Sequence, residues 1–190
     1  MISINPSEIS AQERYKLATG SVIPRPIALV STSSNDGIPN LSPFSFFTVA
    51  AYSPLVLAIF PLHYKTGTEL KDTTKNLIQN GECVIHITTE DLAEKANVAS
   101  GLYEYGKNEF EITGLTQLKS EIVKPFRVQE APIQFEGKVY QHHKIGEGVG
   151  ASDAFFIEVL KAHVHEELKE DFKINPEKLK PVTRLAGMTW

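Results

Sequence analysis

Two segments of this chain carry residue types that could hold a flat, phosphorylated ligand. The first is Asn40-Leu41-Ser42-Pro43-Phe44-Ser45-Phe46-Phe47, where an amide and two serine hydroxyls are interleaved with aromatic rings. Rings suit the face of a planar ligand, and hydrogen-bonding groups suit its edge. A phosphorylated flavin is the first candidate for such a surface. The second segment is Lys65-Thr66-Gly67 followed by Lys71-Asp72-Thr73, which gathers lysines and hydroxyls ahead of a helix. Free N–H groups and the helix dipole at such a terminus attract phosphate, and Lys71 adds a point charge. Asp72 and Thr73 also serve as plain helix caps, so this segment alone leaves both roles open.

Other chemically capable residues point to less. Gly146-Glu147-Gly148-Val149-Gly150-Ala151 has a glycine spacing wrong for a dinucleotide loop, and a strand follows where a helix should, so it reads as a flexible loop. No Walker-type loop is present. Among His86, His142, His143, His163 and His165, the last two share a strand face, a spacing that can seat a metal. No third ligand is fixed, so a solvated strand end is expected there, and no metal. Cys83, the single cysteine, sits in the apolar run Cys83-Val84-Ile85 and reads as a buried filler. It leaves no disulfide framework and no cysteine metal cluster. No nucleophile triad or carboxylate pair stands out, and no catalytic side chain is assigned. A redox cofactor removes the need for one, because the cofactor carries the chemistry and the protein positions and tunes it.

The elements that must position these residues follow from local signals. Ser10 and Glu13 form a capping-box pattern and Gly20 offers a stop, which predicts a helix over 11–19. Pro24 and Pro26 stiffen the approach to a strand over 27–32. Asn35-Asp36-Gly37 marks a hairpin. A second strand over about 40–50 contains Pro43, which places it at an edge or a bulge. Further strands are expected over 55–60 and 83–88. Between them Asp72 caps a helix over 73–80 that Gly81 closes, with Leu77 and Ile78 facing the core. A helix over 91–99 comes next, and residues 100–131 read as a surface excursion with little regular structure. Strands resume over 133–140 and 154–165. Six or so strands in hairpin order favour antiparallel pairing and closure into a barrel rather than a Rossmann sheet.

Composition bounds the function. The 190 residues, 42% hydrophobic and 22% charged, suit one domain over 1–190, with a core of about 20–166 and a tail of 167–190. A net charge of −4 argues against a nucleic-acid surface. The N-terminus lacks a basic segment followed by an apolar stretch, and no apolar run reaches membrane-spanning length, so no membrane partner and a cytoplasmic location are expected.

The ordered motifs Arg25-Pro26-Ile27-Ala28-Leu29-Val30-Ser31-Thr32, Asp36-Gly37, Asn40 to Phe47, Lys71-Asp72-Thr73 and Gly81-Glu82 resemble the flavin reductase-like family of FMN-binding split barrels. Asn97-Val98-Ala99-Ser100, Glu109-Phe110-Glu111, Gly114-Leu115-Thr116 and Arg184-Leu185-Ala186-Gly187 extend the similarity over most of residues 20–187. Where family members often end with Gly-Gly and a Tyr, this chain has Ala186 and Trp190. The resemblance implies a mainly β, antiparallel split barrel with short helices, dimeric, with FMN near the subunit interface. It places Asn40, Ser42, Ser45, Phe46 and Phe47 along the ring and ribityl chain, and Lys71 and Thr73 at the phosphate. Arg25, Ser31 and Thr32 line the same region, Asn97 and Ser100 contribute from the loop after the second helix, and Arg184 is a C-terminal contact.

The implied function is an NAD(P)H-dependent, flavin reductase-like oxidoreductase that passes electrons to free flavin or another small acceptor, with a partner oxygenase in prospect. A non-catalytic FMN carrier would use the same residues. A pyridoxamine-phosphate oxidase-type enzyme on a related barrel is the third expectation.

Overall fold

A computed structural model describes residues 1–63, 70–104 and 106–187. Lys65, Thr66, Gly67 and Trp190 therefore lie outside the described residues. The capping box forms as expected: the Ser10 hydroxyl accepts from the Glu13 N–H at 3.2 Å, and the Glu13 carboxylate accepts from the Ser10 N–H at 2.8 Å. The helix it starts, α1 (Ala11–Ser21), continues through Gly20 instead of stopping there. Val22 N–H still reaches Ala18 O at 3.0 Å, and the chain leaves the helix only on approach to Pro24 and Pro26.

Seven strands form one antiparallel sheet. They are β1 (Ala28–Ser33), β2 (Pro39–Phe44), β3 (Phe47–Tyr52), β4 (Leu55–Ile59), β5 (Glu82–Ile87), β6 (Ile133–Ile145) and β7 (Ser152–Val164), in spatial order β2-β1-β5-β6-β7-β4-β3. The strand expected over 40–50 is in fact two strands. Phe44 ends the edge strand β2 opposite Ala28, and Phe47 begins the opposite edge strand β3 beside Ile59. Only Ser45 and Phe46 join the two edges, a span of at most about 11 Å between Phe44 and Phe47. Laid flat, six inter-strand spacings would hold those edges about 29 Å apart. The sheet must therefore coil until its edges meet at this corner. No pairing joins β2 to β3 among the described residues, so the barrel is open.

The coil has two sides. Alternate residues Ala28, Val30, Leu57, Ile59, Cys83, Ile85, Phe155 and Ile157 fill its interior with Phe44 and Phe47. Leu29 and Leu41 point outward instead, under a second layer of Leu92, Ala96, Phe110 and Val128. That layer contains α3 (Ala93–Ala99) and α4 (Glu109–Thr113), so the 100–131 excursion includes a short helix and contributes a second core. His86 ties the layers together. It is wholly buried, its Nδ1 is 2.8 Å from Leu29 O, and its Nε2 accepts from Val128 N–H at 2.9 Å. Burial pulls its pKa down to about 4, so it stays neutral. Cys83 is the expected filler: it is 0% exposed, and burial first, then Glu82, pushes its thiol up to about 12.

The glycine-rich stretch turns the hairpin between β6 and β7, with positive φ at Gly146, Gly148 and Gly150. His163 is not at a solvated strand end. Its Nε2 lies 2.7 Å from Glu136, a wholly buried carboxylate, whereas His165 is exposed. No cluster suited to a metal ion occurs among the described residues. No helix among them is long and apolar enough to cross a membrane.

Candidate ligand cleft

Strand β2 reaches the cleft as an edge, and its sequence fits that position. Residues 40, 42 and 44 turn their backbone groups toward β1, while 39, 41 and 43 turn theirs outward. Two of the outward positions are Pro39 and Pro43, which have no N–H to leave unpaired. The third is Leu41, whose N–H donates to Glu109 Oε2 at 3.0 Å. Pro43 thus marks an edge, one of the two outcomes its presence predicts.

The inner face of this strand changes character along its length. Phe44 belongs to the barrel core, but Asn40 and Ser42 make the same face polar toward the barrel end. Helix α2 (Asp72–Asn80) packs there. Asn40 Nδ2 donates to Thr32 Oγ1 at 3.1 Å and to Thr73 Oγ1 at 3.0 Å, and Asn76 Nδ2 donates to Thr32 Oγ1 at 3.0 Å. All four side chains are buried, and Asn76 Oδ1 has no hydrogen-bond partner among the described residues. The helix therefore buries Thr73, Thr74, Asn76 and Leu77, while Ile78 is 50% exposed, against the expectation that it faces the core. The polar lock on Thr32 and Asn40 fixes the rotation of the helix together with Leu77, which packs in the barrel core as expected.

This lock presents the N-terminus of α2 to an open cleft. Lys71, not Asp72, occupies the N-cap position, and no side-chain cap of the helix is seen among the described residues. The capping role expected of Asp72 is not seen; it stands inside the first turn, 3.5 Å from Lys75 Nζ. Lys71 Nζ lies 5.3 Å from the Phe44 ring centre, and burial lowers its pKa. The opposite wall follows α3. Ser100 Oγ donates to Asn97 O at 2.6 Å, and Tyr103 OH donates to Val98 O at 2.9 Å, which folds the chain after the helix back over its end. The cleft so formed brings together Asn40, Ser42, Lys71, Thr73 and Ser100, with Asp72, Tyr103 and Glu109 beside them.

The remaining expected site residues do not line this cleft. Arg25 is buried and donates to Thr19 O at 2.7 Å, Val22 O at 2.6 Å and Leu185 O at 3.1 Å, pinning the end of α1 to the C-terminal segment. Ser31 is wholly buried and donates to Phe126 O. Thr32 is held in the lock described above. Phe47 packs in the barrel core. Ser45 and Phe46 form the corner between the two sheet edges, with the Arg25 guanidinium 5.9 Å from the Phe46 ring centre. Asn97 is exposed on α3 and enters the wall only through its carbonyl. Arg184 pairs with Arg25 across a two-residue ladder and donates to Gly187 O at 2.7 Å.

Glu109 and Asn76 were not among the residues singled out as ligands. The signal for Glu109 is Asn108-Glu109-Phe110: the Asn108 side chain accepts from Phe110 N–H at 3.1 Å and starts α4. With Phe110 in the second core, Glu109 is carried against β2. Asn76 gives no apolar or motif signal.

An open antiparallel barrel with an uncapped helix terminus, a half-buried lysine and a polar strand end meeting in one cleft defines a split-barrel protein of the flavoprotein class. The chain belongs to the flavin reductase-like family, whose domain matches residues 19–181. It is 38% identical to the protein BH2278 of Halalkalibacterium halodurans over 188 residues, 98% of this chain and 90% of that protein. Its structure is similar to nitrilotriacetate monooxygenase component B from Bacillus cereus, with TM-score 0.94 and 36% identity, over 98% of this chain and 93% of that one. It is also similar to the 2-nitrobenzoate 2-nitroreductase NbaA of Pseudomonas fluorescens, with TM-score 0.82 and 29% identity, over 98% and 89% of the two chains. Flavin-dependent oxidoreduction is the general kind of reaction this family carries out.

Proposed function

We propose that this protein is an FMN-dependent oxidoreductase that takes reducing equivalents from NADH or NADPH and passes them to free flavin or another small acceptor. The observation that carries this is the convergence of Lys71 and the uncapped α2 terminus with Asn40 and Ser42 in one cleft. When bound, FMN supplies the redox chemistry itself. The chain's own residues hold and orient it. Lys71 and the first-turn N–H groups with Thr73 take the phosphate. A dianion there also restores the charge that burial disfavours on Lys71. Ser42 and Asn40 meet the ribityl chain, Ser45 and Phe46 meet the ring at the sheet corner, and Ser100 closes the far wall, with Asn97 behind it. Arg184 stays a contact of the C-terminal side. Arg25, Ser31, Thr32 and Phe47 serve the frame, since they are buried and stand away from the cleft lining.

A homodimer belongs to the same proposal. The edge strand β3 displays Val49 at 64% and Tyr52 at 92% exposure, an apolar strip suited to a second copy. A separate oxygenase as electron acceptor is supported by the similarity to a protein whose name makes it a component of a monooxygenase. NAD(P)H as reductant is in keeping with a cytoplasmic location.

The test is saturable quenching of FMN fluorescence by the purified protein, followed by anaerobic addition of NADH or NADPH. Bleaching of the bound flavin supports the enzyme. Binding without bleaching would leave only a carrier, a role that similarity to a reductase does not favour.

A further inference from the structure

The cleft contains one feature that phosphate binding does not use and does not welcome. Glu109 is 6% exposed and forms no ion pair among the described residues, yet it borders the same cleft as Lys71 and Ser42. Its Oε2 accepts from Leu41 N–H at 3.0 Å. Burial pushes its carboxyl above the ordinary range, the N–H groups of Leu41 and of Glu109 itself draw it back, and the Asp72 charge pushes it up again. As a carboxylate the group only accepts hydrogen bonds, and the N–H groups of Leu41 and of Glu109 itself fill part of that capacity. What remains borders the cleft and can accept from donors on a ligand. A phosphate has none to give and brings like charge, whereas a hydroxylated chain supplies donors without charge.

We infer that Glu109 is a specificity-determining residue of the cleft: it accepts a hydrogen bond from a ribityl hydroxyl, so that the cleft selects a flavin with its polyol chain over a bare ring or a bare phosphate. This rests on the proposal that the cleft holds FMN. It also explains why a carboxylate stands in a site that otherwise favours anions. Lysine and helix terminus take one end of the ligand, and the carboxylate takes the hydroxyls between that end and the ring.

The test compares wild-type protein with Glu109→Gln, which keeps an oxygen for the Leu41 N–H and so preserves the edge of β2. The probes are FMN, riboflavin and lumiflavin by fluorescence quenching, with inorganic phosphate as a competitor of FMN. The expected result is that E109Q binds FMN and riboflavin about tenfold more weakly, while lumiflavin, which lacks the polyol, binds as before and phosphate competes no less well. Equal weakening for lumiflavin and riboflavin would make Glu109 a frame residue and overturn the inference. Unchanged or tighter riboflavin binding would overturn it too. A wild-type protein that quenches neither FMN nor riboflavin would remove the flavin proposal itself, whereas normal FMN binding with a silent E109Q would remove the inference alone.

Discussion

Lys71 and Glu136 show how differently two partly or wholly buried charges can be used. Lys71 stands at the N-cap position of α2 on the wall of the cleft, with its charge disfavoured by burial. Lys71→Ala is expected to weaken FMN tenfold or more but riboflavin far less, because only FMN carries the phosphate; equilibrium quenching with both ligands checks this. Glu136 is already satisfied. It accepts from the N–H groups of Glu121, Ile122 and Val123 and lies 2.7 Å from His163 Nε2 and 3.6 Å from Arg127 Nε. Burial raises its pKa, but those hydrogen bonds outweigh it and leave the carboxyl below its ordinary value. Its stabilisation is therefore complete above the unfolded carboxylate pKa and is lost as pH falls through the folded one. Glu136→Gln is expected to cost roughly 2–3 kcal/mol at pH 7, with the gap to wild type closing below about pH 4; urea unfolding at both pH values measures it. His163 offered a metal-ligand spacing in the sequence, but its carboxylate partner is 27 residues away, a distance no spacing rule covers.

At the scale of elements, the strands were legible wherever a backbone constraint was written in the residues. Gly37 fixed the first hairpin, Gly81 the end of α2, and Pro43 the edge character of β2. The break at Ser45-Phe46 was not legible, because the rings on both sides are equally apolar and only closure of the coil separates them. Helix α2 was legible only in part: Leu77 does face the core, but the rest of its buried face is made of amides and hydroxyls, so a search for apolar residues selects Ile78 wrongly. Of the cleft, Asn40, Ser42, Lys71, Thr73 and Ser100 could be read in advance, while Glu109 depended on a helix folding back from 68 residues away. One element-scale contact is testable directly. A Cβ on Gly137 of β6 would lie 2.6 Å from Ile157 Cγ2 and 2.7 Å from Glu158 O. Gly137→Ala is expected to lose roughly 1–3 kcal/mol, seen as a lower urea midpoint with an unchanged slope.

The whole molecule is a coiled sheet with its edges brought to one corner, covered on one side by the second core and bare along β3. The capped edge and the bare edge are not equivalent. Strand β2 is protected by two prolines and Glu109, whereas β3 leaves Val49 and Tyr52 in solvent. Placing aspartate at both Val49 and Tyr52 is expected to convert a dimer to a monomer in sedimentation velocity, and a monomeric wild type would refute the dimer. The flavin site is the central claim, and it is tested most directly by the visible spectrum of the purified protein with FMN during anaerobic titration with NADH and then NADPH. The proposed enzyme predicts stoichiometric FMN binding and loss of the oxidised flavin band with at least one nicotinamide. Failure to bind FMN, or a bound flavin whose band survives both reductants, would contradict it.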